Sequence, residues 1–289
     1  MRSRRSGLAT CLCLLLVLLF MSAPGEARRA GAADGNPQIR SSAVLVLDEG
    51  SSTVLLARQA EVATPIASIT KLMTALVVLD ARQPFDEVLQ ITDADREHGR
   101  GAYSRLTVGA RLSRGDLLHV ALMSSENRAA HALGRNFPGG VPAFVAAMNT
   151  KALSLGMHNA RFVDPTGLSS GNVASPADLS RLVIAASREP MVQEYSTDEW
   201  HAVRVGRRML EFRNTNLLVR NPAWNIIVQK TGYITEAGKC LVMKTLIRGR
   251  AVVIVLLDSF GKYTRVADAQ RIRKWLEARP AEATLPGTV

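Results

Sequence analysis

Pro65-Ile66-Ala67-Ser68-Ile69-Thr70-Lys71-Leu72-Met73-Thr74 is the stretch from which the rest of the chain can be read. The run from Ser68 to Leu79 is nearly all apolar without strict alternation, and it is long enough for a buried helix. On a helix positions i and i+3 share a face, so Ser68 and Lys71 stand side by side. A serine hydroxyl is a weak nucleophile and needs a base. A lysine one turn along serves if burial or a second cation lowers its pKa. Ile66, Ala67, Leu72 and Met73 supply the burial, and a helix N-terminus favours a developing anion. A lone Ser-x-x-Lys carries little information and by itself reads as a solvated helix face. The chain holds a second, Ser259-Phe260-Gly261-Lys262, which follows a strand, contains glycine and reads as a turn.

Upstream of this stretch, Ala43–Leu47 and Thr53–Ala57 are apolar runs around Glu49-Gly50-Ser51-Ser52, the pattern of a hairpin. Downstream, helices are expected over Asp116–Met123, Gly140–Leu155 and Ser175–Arg188, the last with Pro176 at its first helical position. Trp224–Gly232, Leu241–Ile247 and Ala251–Leu257 are strand-like, and Arg265–Ala278 is a closing helix. Strands, helices, strands and a helix in that order describe an α/β (α+β) domain over residues 41–280. Its sheet brings the first and last strands together between helices. The tail, 281–289, is expected to be short, leaving no room for a further domain or an amphipathic anchor.

Two more short motifs matter. Ser125-Glu126-Asn127 follows the apolar Val120–Met123 and is expected on a loop, where the hydroxyl can relay a proton and the amide can bind a peptide carbonyl. A second such triplet, Ser170-Gly171-Asn172, lies in the turn-like stretch 165–172 and reads as loop chemistry. Lys230-Thr231-Gly232 occurs once, at the end of the strand-like Ile226-Ile227-Val228-Gln229. A cation and a hydroxyl there can hold a carboxylate, and glycine lets a substrate backbone approach and pair with the strand edge. Standing alone it would read as an exposed turn.

Composition removes whole classes. With 289 residues and 47% hydrophobic content the chain is neither disordered nor fibrous. Its net charge of +11 admits a nucleic-acid binder, but no nucleic-acid motif accompanies it. The cations are mostly arginine, so the few lysines, Lys71 and Lys230 among them, carry more information. Residues 1–27 read as an export signal. Arg2, Arg4 and Arg5 form the basic region, Cys11–Met21 the apolar region, and Gly25-Glu26-Ala27 the cleavage site; an uncleaved anchor is the alternative. Cleavage lowers the charge to +9 and leaves Cys240 as the single cysteine, so no internal disulfide can form. Cys240 lies in an apolar run and reads as a buried structural thiol. Residues 28–40 are expected to be a flexible lead-in. Arg204–Arg213 reads as a basic hairpin, with a solvated face favoured over contact with an anionic polymer. The five histidines show no metal-ligand spacing.

Taken together, Ser-x-x-Lys, Ser-x-Asn and Lys-Thr-Gly in that order resemble the penicillin-recognising serine transferases and hydrolases. More narrowly, the chain resembles the low-molecular-mass penicillin-binding proteins of the D-alanyl-D-alanine carboxypeptidase/endopeptidase family. The resemblance spans about residues 40–278 and includes 123–130, 229–233 and Asp164-Pro165-Thr166-Gly167-Leu168, which are most similar to the endopeptidase branch. It implies the penicillin-binding/serine β-lactamase-like transpeptidase fold, a mostly antiparallel central sheet flanked by helices. It assigns Ser68 as nucleophile, Lys71 as base and Ser125 as proton relay, with Asn127, Lys230, Thr231 and Gly232 binding substrate. Backbone N–H groups of Ser68 and Tyr233 would form the oxyanion hole, with no metal and no organic cofactor. It further implies peptidoglycan stem peptides as substrate, β-lactams as covalent inhibitors, a periplasmic location, no nucleic acid and at most loose membrane or wall association. The Glu-x-x-Leu-Asn segment of class A β-lactamases is missing, so bound penicillin should persist. The reading is therefore a serine D,D-endopeptidase. The alternatives are a D-alanyl-D-alanine carboxypeptidase acting on pentapeptide stems, whose relatives usually carry a second domain and an anchor, and a non-catalytic penicillin-binding scaffold.

Overall fold

Three long apolar strands close the chain back onto its beginning. In order, β1 (Ser41–Asp48) and β2 (Thr53–Arg58) form the expected hairpin. A two-residue strand, β3 (Thr64–Pro65), leads into α1 (Thr70–Asp80). The short pair β4 (Val88–Gln90) and β5 (Arg111–Ser113) precedes α2 (Arg114–Met123), α3 (Asn127–Arg135) and α4 (Gly140–Ser154). β6 (Val173–Ala174) pairs back with β3 and is followed by α5 (Pro176–Ala186) and α6 (Pro190–Thr197). The separate hairpin β7 (Trp200–Val205) and β8 (Arg208–Arg213) comes next, then β9 (Asn225–Ile234), β10 (Gly238–Ile247), β11 (Arg250–Ser259) and α7 (Thr264–Ala278). This computed structural model describes residues 36–96 and 104–279. The expected signal (1–27), most of the lead-in and the tail (281–289) lie outside the described residues.

The main sheet has the order β2-β1-β11-β10-β9 with every neighbouring pair antiparallel. β1 and β11 meet at its centre, with Leu45 opposite Val255, as the order of elements foretold. Side chains alternate across it. From β11, Val253, Val255 and Leu257 enter the larger core beneath the helices, whereas Val252, Ile254 and Leu256 pack toward Trp275, Ile272 and Leu276 of α7. Both faces are covered, which is why these strands read as unbroken apolar runs. Each fully buried valine, isoleucine or leucine contributes about 1.5–3 kcal/mol.

Polar groups set the ends of the elements. Ser113 caps α2 by accepting from the Asp116 N–H, and Ser175 with Asp178 forms a reciprocal cap on α5. Asp268 of α7 is fully buried and accepts from the Ser41 N–H at 2.8 Å and the Ser41 hydroxyl at 2.6 Å. Because Asp268 also takes the Arg40 N–H at 3.1 Å, and Ile39 is buried beside Trp224, the end of the expected flexible lead-in is docked. β9 is an edge strand of the main sheet, paired with β10 on one side.

Candidate active site

Ser68 lies on a 3-10 turn, Ala67–Ile69, that runs straight into α1, one step earlier than the expected helical start. The turn is tight: Ala67 has φ +48°, a left-handed conformation that costs a non-glycine residue roughly 1–2 kcal/mol. Thr70 Oγ1 donates to the Ala67 carbonyl at 2.8 Å. Two glycines press against this turn. A Cβ on Gly232 would stand 3.0 Å from Ile66 O and 3.1 Å from Ser68 N. A Cβ on Gly167, which has φ +81°, would stand 2.0 Å from Ala67 O. The glycine of Lys-Thr-Gly is therefore needed so that β9 can lie against the Ser68 backbone.

Lys71 is buried, and its Nζ meets three oxygens: Ser68 Oγ at 2.9 Å, Asn127 Oδ1 at 2.7 Å and the Thr166 carbonyl at 2.6 Å. Asn127 Oδ1 and the carbonyl can only accept, whereas a serine oxygen can accept or donate. A neutral amine has two N–H groups and one lone pair. With its N–H groups committed to Asn127 and Thr166, its lone pair is left facing the Ser68 hydroxyl. The same site holds an ammonium once that proton is transferred, when all three N–H groups have acceptors. This is the geometry of a base for Ser68.

The Thr166 carbonyl is aimed by a loop that the sequence signalled without explaining. Asp164 Oδ1 accepts from the Thr166 N–H and hydroxyl, both at 2.6 Å, and from the Gly167 N–H at 2.7 Å. Thr74 Oγ1 donates to the Pro165 carbonyl at 2.7 Å. Asn172, fully buried, donates to Thr70 Oγ1 and the Asp164 carbonyl and accepts from the Val163 N–H. The second Ser-x-Asn triplet is thus scaffolding, as expected.

Ser125 sits at the joint between α2 and α3, half-buried, with φ +64°. No hydrogen bond ties it to Ser68, so the structure joins Ser68, Lys71 and Asn127 directly and places Ser125 beside them through the chain. Asn127 is the first residue of α3 rather than a loop residue. The Lys-Thr-Gly segment likewise does not end its strand, since β9 continues to Ile234.

Lys230 is fully buried and donates to the Thr231 carbonyl at 3.0 Å. Burial, then the charges of Lys71 and Arg265, push its ammonium well below its ordinary range. Thr231 Oγ1 lies 2.6 Å from Thr215 Oγ1, and the Thr215 N–H donates to Met123 O at the end of α2, linking the strand motif to the Ser125 joint. Tyr233 is exposed, with Lys239 Nζ 3.9 Å from its ring centre. Sequence reasoning missed Arg265 at the start of α7, whose guanidinium donates to the Gly232 carbonyl at 3.3 Å. Its separation from Lys230 in the chain left no local signal. Among the described residues no group of three or more His, Cys, Asp or Glu side chains is placed to hold a metal ion. Cys240 is buried, and burial pushes its thiol up to about 11.

Residues 30–261 match the family described as D-alanyl-D-alanine carboxypeptidase. A D-alanyl-D-alanine endopeptidase of Pseudomonas aeruginosa is 48% identical over 279 residues, covering 96% of this chain and 89% of the relative. A D-alanyl-D-alanine endopeptidase of Escherichia coli is 45% identical over 268 residues, covering 91% and 86%. Among solved structures, the Streptomyces K15 DD-transpeptidase superposes with a TM-score of 0.77 at 26% identity, covering 83% of this chain and 98% of its own. Penicillin-binding protein D2 of Listeria monocytogenes, in a cefotaxime-bound form, gives 0.74 at 28% with the same coverage. The chain belongs to the D-alanyl-D-alanine carboxypeptidase family of serine peptidases.

Proposed function

From that membership we propose that the chain is a serine D,D-endopeptidase that hydrolyses D-Ala–diamino acid cross-links between peptidoglycan stem peptides through an acyl-enzyme on Ser68. The observation that carries this reading is Lys71, held by Asn127 and Thr166 with its third position on Ser68 Oγ. Ser68 Oγ attacks the D-Ala carbonyl and its proton passes to Lys71 Nζ. The oxyanion forms between the N–H groups of Ser68 and Tyr233, across the contact that Gly232 makes possible; one such donor is worth about 10²–10³ in rate. Lys71 returns that proton through the Ser125 hydroxyl to the departing amine, and water then releases the acyl group. The substrate backbone pairs with the free edge of β9 near Lys230-Thr231-Gly232. Asn127 holds Lys71 and meets the substrate amide, while Lys230, Thr231 and Arg265 hold its anionic groups.

On the same reading β-lactams acylate Ser68, and the protein works in the periplasm, exported by residues 1–27. The deciding experiment incubates it with cross-linked muropeptide dimers and, separately, with monomeric pentapeptides. Release of monomers from dimers, with little D-Ala from pentapeptides, supports the proposal. D-Ala release with dimers left intact makes it a carboxypeptidase. Penicillin acylation without turnover of either makes it a scaffold.

A further inference from the structure

Beside the Ser125 joint lies a groove of about 610 Å³ lined by Arg105, Ser124, Glu126, Glu211, Phe212 and Arg213. Ser124 and Glu126 flank Ser125, so the groove opens where the proposed mechanism releases its amine. Both of its carboxylates are already engaged. Glu211 Oε1 is taken by Arg213 at 2.6 Å. Glu126 is only 5% exposed and is held by the Ser104 hydroxyl and, at 3.4 Å, by the Arg105 N–H. The Arg105 guanidinium lies 5.0 Å from the centre of the Phe212 ring and donates to the Glu211 carbonyl. Among the described residues it has no carboxylate partner. A ring face and a carbonyl fix the plane of the guanidinium without neutralising it, which leaves a forked donor ready for a planar anion.

We propose that this groove is a subsite for the amine component of the cross-link, in which Arg105 binds a carboxylate carried by that second stem peptide. The inference rests on the endopeptidase reading, because a cross-link brings a second peptide to the scissile nitrogen whereas a pentapeptide brings a single D-Ala. It assigns Arg105 a role in specificity: substrates whose amine component bears a free carboxylate near the scissile bond are preferred over those in which it is blocked.

The test compares wild-type protein, Arg105→Gln and Arg105→Lys on two cross-linked dimers that differ in one group, a free or an amidated carboxylate on the amine component. The wild type is expected to cleave the free form about five- to tenfold better in kcat/KM, the size of one partly solvated charge-assisted contact. Arg105→Gln should lose that preference, and Arg105→Lys should retain part of it. The rate of Ser68 acylation by labelled penicillin should be the same in all three, which shows that the variants are folded. Equal rates on the two dimers in the wild type, or a preference that survives Arg105→Gln, overturns the proposal. If the wild type cleaves neither dimer, the endopeptidase reading fails, and the subsite is judged by protection of Ser68 from labelled penicillin. Better protection by the free-carboxylate dimer in wild type, lost in Arg105→Gln, sustains the subsite; equal protection removes it.

Discussion

Gly167→Ala reaches the proposed base through a residue that carries no chemistry of its own. The new Cβ would stand 2.0 Å from Ala67 O and 2.4 Å from Ala67 C, against the roughly 3.5 Å at which such atoms rest. Both partners are backbone, so the Asp164–Gly167 loop and the Ser68 turn must part by more than about 1 Å. Thr166 O, on the neighbouring peptide, is 2.6 Å from Lys71 Nζ. Lengthened by about 1 Å, that contact is no longer a hydrogen bond. Lys71 then turns an N–H toward Ser68 instead of its lone pair, and acylation should fall by about 10²-fold. Alanine at φ +81° costs roughly 1–2 kcal/mol, and the overpacking about 1–3 kcal/mol more. In a domain of this size the melting temperature should drop by roughly 5–15 °C. The assay is the rate of labelled penicillin incorporation, followed beside a thermal melt. Gly249→Ala is the control, because Gly249 has φ +77° with nothing within 4 Å, so it carries the backbone cost alone. A Gly167→Ala protein that acylates as fast as Gly249→Ala would refute the argument that this loop positions the base.

Asn127→Ala removes the other acceptor on Lys71 and should slow acylation about 10–100-fold while leaving a folded protein, checked by the same incorporation assay and by circular dichroism. His119 is buried between Tyr195 and His201, with ring centres 4.1 and 3.9 Å away, and burial first, then the charge of His201, lowers its pKa to about 4. The unfolded chain takes up this proton near pH 6.5 and the folded one does not, so stability is full above that pH and declines as pH falls toward 4. The slope should be at most about 1.4 kcal/mol per pH unit. Melting curves of wild type and His119→Phe between pH 7 and 4 should differ in that slope; parallel curves would contradict it. Cys240, with its thiol raised to about 11, should resist alkylation in native protein and react on unfolding, as followed by mass increase.

The motifs were legible because their chemistry demands fixed local spacing. Ser68 and Lys71 share a helical face whatever surrounds them, and Lys230-Thr231-Gly232 combines charge, hydroxyl and glycine in a strand. The sheet was legible because both faces of β10 and β11 are buried, which leaves continuous runs of Val, Ile and Leu. What escaped were relations that spacing does not encode. Thr166 acts through its carbonyl, which every residue has, and Arg265 reaches Gly232 across 33 positions of chain. Helix α3 escapes notice because it is only nine residues long and its buried apolar face is built from the small Ala129, Ala130 and Ala132 with a single Leu133, so no run of large apolar residues marks it. Asn127 therefore reads as a loop residue although it begins that helix. Lys-Thr-Gly reads as a strand end because its polar residues and glycine resemble a turn; the strand runs on because those polar side chains are buried in the site.

In the proposed mechanism Ser68 carries the acyl group. The most direct measurement quenches the protein during turnover of a cross-linked dimer, digests it and locates the adduct by mass spectrometry, with labelled penicillin in parallel. The same attachment point is expected in both cases, the peptide containing Ser68, with no adduct in Ser68→Ala. An adduct on Ser125 or Ser259, or turnover that persists in Ser68→Ala, would contradict it.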